Sequence, residues 1–267
     1  MNQLPHSSSL DKVNLMEKSY PESHFGGFTA VDGTIAFYVR IQALLSSCRT
    51  IADVGCGVGE GSRDLVEMRR KLRLLRDPSR YVIGLDIDPA GVGNPLIDEF
   101  RRIEGPSWPL ESGSVDLLLG DWVVEHLEEP DRFFAESARV LRPGGFLCLR
   151  TPNLWSYFGL ASALTPNRWH KSVRNKVQER PEGKEILAWR TFYRCNTIPA
   201  LRDAMARFGF DGVVMGHNAE PAYLSFSRVA YQIGKGYQRW APSFLAVTLL
   251  IFARRIGSVE PPSSGRE

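Results

Sequence analysis

Four residues at alternate positions, Asp53, Gly55, Gly57 and Gly59, are the part of this chain whose types and spacing point to chemistry. Glycines at every second place tolerate positive φ and let a bound molecule approach the backbone with no Cβ in the way. A helix start just beyond them offers free N–H groups to a polar or anionic group. Asp86 closes a later apolar run, Tyr81-Val-Ile-Gly-Leu-Asp86, where a carboxylate can accept both hydroxyls of a ribose. Together these residues outline a nucleotide-type site. Spacing also excludes two readings of it. The dinucleotide pattern G-x-G-x-x-G needs its third glycine where this chain has Glu60 or Ser62, depending on register, and no Gly-Lys-Ser/Thr follows as a P-loop requires.

The elements that must hold these residues can be read outward from them. Ile51, Ala52 and Val54 form a short apolar strand running into the glycine turn, and Leu65, Met68, Leu72 and Leu75 predict an amphipathic helix over Glu60 to Arg76. Asp116-Leu-Leu-Leu-Gly120 reads as a buried strand, and Phe146-Leu-Cys-Leu-Arg150 as another, begun after Pro143-Gly-Gly stops a helix. Further helices are expected over Ile35 to Leu45 and Thr197 to Phe208. With 267 residues, 43% of them apolar, the chain can bury one substantial core with appendages. A net charge of +3 is too mild to demand nucleic acid. The four cysteines lack paired or zinc-type spacing and read as reduced packing residues, which with a polar N-terminus points to a cytoplasmic protein and no metal.

The stretch around Asp53 resembles the first motif of the class I S-adenosylmethionine (SAM) dependent methyltransferases, with a type 11/12-like domain. The resemblance continues through Ile103-Glu104 to Asp116, through Asp121-Trp-Val-Val-Glu-His126-Leu, and through Glu136 to Gly145 with its Arg-Val-Leu-x-Pro-Gly-Gly signature. It covers roughly residues 50 to 153 and implies SAM as cofactor and methyl transfer as activity. It also implies a Rossmann-like, doubly wound α/β fold: a seven-stranded, mostly parallel sheet with helices on both faces. By the same likeness the cofactor residues are Asp53, Gly55, Cys56, Gly57, Gly59, Asp86, Ile87, Glu104, Gly120, Asp121 and Trp122. Glu104 holds the place of an acid that approaches the adenine amino group, where Asp is usual. His126 is the best candidate for a general base, needed only if the acceptor must lose a proton, and is otherwise a pocket or packing residue.

The motifs say little about the acceptor. The expected organisation is a flexible segment 1–19, a methyltransferase domain 20–230, an apolar and basic helical segment 231–257, and a disordered tail 258–267. An α-rich insertion, 154–190, follows the fifth strand and holds seven Lys/Arg against three Glu, interleaved with aromatic residues. A basic and aromatic insertion suits an anionic, lipid or glycan acceptor, methylated on oxygen, and no specific nucleic acid. Pocket candidates are His24, Phe25, Asn153, Tyr157 and Tyr193. The last strands are expected at Asp211 to Met215 and Tyr223 to Val229, and Phe244 to Ala253 as a buried helix, a dimer contact or an interfacial anchor giving peripheral membrane contact through 237–256. The alternatives are a non-catalytic SAM-binding module and an RNA- or protein-associated methyltransferase.

Overall fold

Alternation along each strand sorts the apolar side chains onto two sides of one sheet. The computed structural model describes residues 15–157, 159–160 and 190–256. Most of the expected α-rich insertion, most of the flexible N-terminal segment and the tail lie outside the described residues.

The strands are β1 (Thr50–Val54), β2 (Tyr81–Asp86), β3 (Glu99–Arg102), β4 (Val115–Asp121), β5 (Leu141–Pro152), β6 (Phe210–His217) and β7 (Thr248–Arg255). They form one seven-stranded sheet in the order β3-β2-β1-β4-β5-β7-β6. Every pairing from β3 to β5 is parallel, while β7 runs antiparallel to both its neighbours. The order reverses between β1 and β4, so the loops leaving their carboxyl ends diverge and open a crevice there, the usual binding position of such sheets.

Five helices matter for the core: α1 (Gly33–Leu44), α2 (Glu67–Arg73), α3 (Pro130–Val140), α4 (Ile198–Arg207) and α5 (Arg228–Trp240). Asp32 starts α1 by accepting from the N–H groups of Thr34 (2.9 Å) and Ile35 (3.0 Å), and Thr197 caps α4 likewise. Phe133 and Phe134 of α3 and Leu201 and Met205 of α4 pack on Ala52, Val54, Leu118, Leu147, Leu149, Leu249 and Ile251. Phe37 and Ile41 of α1 pack on Ile51, Leu117, Leu119, Cys148 and Leu250 from the other side. Helices therefore cover both faces.

Several sequence expectations change. The apolar run Phe244 to Ala253 is not a helix: Thr248–Arg255 is β7, held between β5 and β6. Its side chains are apolar all round because Leu249 and Ile251 enter one core and Leu250 the other, as for any strand covered on both faces. The segment 231–257 is thus the end of α5 and a strand of the main sheet. Tyr223 to Val229 is not a strand but a 3-10 turn leading into α5. The helix predicted over Glu60 to Arg76 is a 3-10 turn, Glu60–Arg63, followed by the short α2, and Leu65 is 96% exposed instead of packed on the sheet. The fifth strand begins at Leu141, with a register break against β4 where Pro143-Gly-Gly is accommodated. All four cysteines are free.

Candidate active site

Val54 pairs with Leu85 on one side and Gly120 on the other, so the turns after β1, β2 and β4 meet at one edge. Gly55 N–H donates to Leu85 O (2.7 Å), and Gly57 N–H donates to Asp86 Oδ2 (2.9 Å). Asp86 Oδ1 accepts from Asp88 N–H (2.9 Å), so the carboxylate orders its own loop as well as the glycine turn. Asn94, which sequence reasoning missed, donates from Nδ2 to Cys56 O (2.8 Å) and braces the turn from below.

The glycines serve different ends. All three have positive φ. A Cβ on Gly55 would lie 2.5 Å from Val123 Cγ2, and one on Gly59 would run into Asn94 Oδ1; both positions are glycine for packing. Among the described residues, a Cβ on Gly57 would meet nothing within 4 Å. Of the three glycines, Gly57 is the one with open space beside it among the described residues, next to Asp86, where a ligand can approach the backbone.

Charge at this edge is negative. Asp53 is pushed up to about 8 by desolvation first, then by Asp121 and Asp86. Asp121 itself is paired: Arg150 donates from Nε to Oδ1 and from Nη2 to Oδ2, both 2.6 Å, and Tyr38 O–H donates to Oδ2 (3.0 Å). The buried Arg150 also donates to Thr34 Oγ1 (2.9 Å), and its guanidinium lies over the rings of Phe37 (5.3 Å) and Trp122 (5.2 Å). Trp122 sits in the left-handed region at φ 62, an uncommon place for a bulky residue, and its N–H donates to Arg150 O (2.9 Å). A salt bridge on one side and a strained backbone on the other fix this indole at the crevice, one-third exposed.

The cofactor that the motifs imply can be tested against these residues. SAM carries a sulfonium and an ammonium, and Asp53, raised first by burial and then by two carboxylates, is the group such charges would relieve. The open side of Gly57 and the lone pairs left on Asp86 suit its nucleoside. The residues fit. Ile87 and Glu104 sit at the exposed rim beyond β2 and β3, where Glu104 makes a 3.5 Å ion pair with Arg102. Gly120 serves packing, since a Cβ there would lie 2.8 Å from Leu149 Cδ2.

His126 stands in a 3-10 turn after β4. Its Nδ1 is 3.0 Å from Arg190 O, and because a carbonyl only accepts, Nδ1 donates there. Nε2 lies 3.9 Å from Glu125 Oε1. Glu125, another residue the sequence reading passed over, is buried and pushed up to about 7, chiefly by desolvation. Thr151 O–H donates to its Oε2 (2.9 Å), and Asn196 Nδ2 donates to Thr151 Oγ1 (2.6 Å). Its adjacency to His126 was the available signal.

The five pocket candidates separate. Asn153 is a structural staple: fully buried, it donates to Phe244 O and Ala246 O, both 2.8 Å, and does not face the crevice. Tyr157 packs edge-on against Tyr237 at 4.9 Å, with its hydroxyl pushed up to about 12 by burial. Tyr193 is buried with φ 53, and its N–H donates to Glu125 O (3.2 Å), which places it beside His126. His24, the last residue of the 3-10 turn Pro21–His24, and Phe25 just after it lie on the surface, Phe25 being 84% exposed. The structure does not bring these two together with the others. That loop is anchored instead through Thr29 O–H donating to Glu220 Oε2 (3.1 Å), with Arg69 bridging Asp32 (2.5 Å) and Glu220 (3.6 Å).

Residues 52–149 match the methyltransferase domain family. A Mycolicibacterium smegmatis protein named "Probable S-adenosylmethionine-dependent methyltransferase" is 37% identical over 122 residues, 43% of each chain. The chain thus spans less than half of that relative's length. An uncharacterised Streptomyces fradiae protein is 29% identical over 228 residues, 74% of this chain and 60% of its own. Among solved structures, a SAM-dependent methyltransferase from Thermotoga maritima has a TM-score of 0.52 at 14% identity, covering 92% of this chain and 99% of its own. One from Archaeoglobus fulgidus also has a TM-score of 0.52, at 16% identity, covering 91% and 99%. These two share the fold. The glycine turn, the acid after β2 and the crevice between β1 and β4 all lie within residues 52–149, the part of this chain that is similar to the methyltransferase domain family and to the SAM-dependent relative.

Proposed function

We propose that this protein transfers a methyl group from SAM to an oxygen of a lipid- or glycan-type acceptor that carries a negative charge. The observation that carries the transfer reading is the pairing of open space at Gly57 with the uncompensated carboxyl of Asp53 at the same edge. When bound, SAM supplies a methyl group already activated on a cationic sulfur. The chain's own residues would do the rest. Gly57 and Asp86 hold the nucleoside, Asp53 takes the positive end, and Trp122 walls the crevice. Holding donor and acceptor in line in such a site can be worth about 7–11 kcal/mol at its best. His126 can take the proton of a hydroxyl acceptor at Nε2, where Glu125, 3.9 Å from that nitrogen, can stabilise the imidazolium.

The acceptor class rests on the aromatic side chains of Tyr157 and Tyr237, together with the excess of seven basic over three acidic residues in 154–190. Aromatic faces suit sugar or apolar surfaces, and the cations suit a negative group. The test is methyl transfer from labelled SAM into fractionated cell extract. Label in an organic-soluble or glycan fraction, insensitive to nuclease, supports the reading. Label in RNA or protein would replace the acceptor, and no transfer despite SAM binding would favour a non-catalytic module.

A further inference from the structure

Helix α5 is built the wrong way round for a surface helix. Its inner face is tied down by polar contacts: Lys235 Nζ donates to Ser19 O (2.8 Å), Tyr20 O–H donates to Gln238 Oε1 (2.8 Å), and Tyr237 O–H donates to Leu245 O. Only Tyr231 and Gly234 are buried along it. Its outer face is apolar. Val229, Ile233 and Trp240 recur at helical spacing along it and, with Phe226 just before its cap, are each at least two-thirds exposed, with Phe244 half exposed beyond the helix end. Scattered exposed apolar residues need no explanation, but five large ones gathered on and beside one short helix mark a contact surface.

Charge indicates what it contacts. Arg228 and Arg239 are exposed on the same helix, Arg239 lying over the Trp240 ring at 5.6 Å, and residues 221–256 contain no Asp or Glu. A cationic helix with an outward aromatic and aliphatic stripe is the pattern that lies in the headgroup region of a negatively charged bilayer. Among the described residues no helix is long and apolar enough to cross a membrane, so the contact is with the surface. The run Phe244 to Ala253 cannot supply it, because β7 is interior.

We propose that the outward face of α5, from Phe226 to Phe244, docks on an anionic phospholipid bilayer. The docking is independent of methyl transfer and needs no cofactor.

The test is co-sedimentation of the full chain with phosphatidylglycerol vesicles and with phosphatidylcholine vesicles. The expected result is sedimentation with the anionic vesicles, weakened by salt, and a fall of at least tenfold in bound fraction for Ile233→Glu/Trp240→Glu. Both side chains are exposed, so the variant should keep its melting temperature and SAM affinity, which separates loss of docking from loss of fold or site. No sedimentation of the wild type, equal sedimentation with neutral vesicles, or an unchanged double variant would each overturn the proposal. A dimer in solution that the double variant dissolves, without vesicle binding, would give the face to a second copy and also overturn it.

Discussion

Cofactor affinity should rise with pH, and by an amount that Asp53 sets. In the free protein its carboxyl is held near 8 by desolvation and by Asp121 and Asp86. At that value about 1% is ionised at pH 6 and about half at pH 8. A cation placed beside it favours the carboxylate, so binding expels the proton wherever the free group still holds one. The dissociation constant should then fall roughly 50-fold between pH 6 and pH 8, about 2 kcal/mol, flattening above. Calorimetry in buffers of different ionisation enthalpy reads both the affinity and the proton released, and Asp53→Asn should bind with little of this slope. The same shift acts on the free fold with the opposite sign. Native Asp53 keeps its proton where the unfolded group has lost it, so stability declines as pH rises from about 4 towards 8. A wild-type affinity that is flat over this range, or that releases no proton, would refute the placing of the cofactor's positive end at Asp53.

The other expectations are simpler to state. Gly57→Val should lose SAM binding, because a β-branched side chain at φ +49 strains the turn and its Cβ, which meets no described protein atom within 4 Å, fills the cofactor's approach, whereas Gly59→Ala should lower the melting temperature by crowding Asn94; equal cofactor affinity in the Gly57 variant and wild type would take the turn out of the site. Asp86→Ala should weaken binding by one to two orders of magnitude, each charge-assisted hydrogen bond being worth about 1.5–3 kcal/mol, as titration calorimetry would read. Arg150→Met should cost about 3–5 kcal/mol in denaturant unfolding, because it strands the Asp121 carboxylate that Arg150 holds at 2.6 Å. Glu125 is held near 7, so its ionisation costs stability as pH rises through the window from about 4.5 to 7. Glu125→Gln should remove that share of the decline in thermal melts, and a pH profile of melting unchanged by the substitution would argue against it.

What was legible in the sequence was local. Tyr81–Asp86 is a strand with the ends its apolar run and terminal carboxylate announce, and the glycine turn after β1 follows from three glycines that each adopt positive φ. Misreading set in where one pattern serves two structures. A ten-residue apolar run has no period, and a strand sandwiched between two cores looks the same as a buried helix. Only the pairing of β7 with β5 and β6 decides it, and those partners are distant in sequence. In Glu60 to Arg76 the leucine spacing misled for another reason. Asp64 holds Arg73 (2.7 Å) and its backbone oxygen holds Arg70, contacts that favour a turn at 60–66 over a continuous helix and leave Leu65 in solvent.

The site divides along the same line, with a consequence for its electrostatics. Asp53, Gly57 and Asp86 lie close to their own turns and could be read from spacing, but what Asp121 does depends on Arg150 one strand over and Tyr38 on a helix before the whole sheet. Read alone, Asp121 is a third acid facing the cofactor. Joined by two hydrogen bonds to a buried guanidinium, its charge is answered within the protein, and its carboxylate serves to hold Arg150 beneath Trp122. The crevice then offers a cation two acids, Asp53 and Asp86, of which Asp86 already accepts two backbone N–H bonds. Asp53 is left as the group with charge still to be satisfied. Asp121→Asn should therefore change cofactor affinity less than Asp53→Asn at pH 8, and the reverse order would mean that the Arg150 pair opens to admit the ligand.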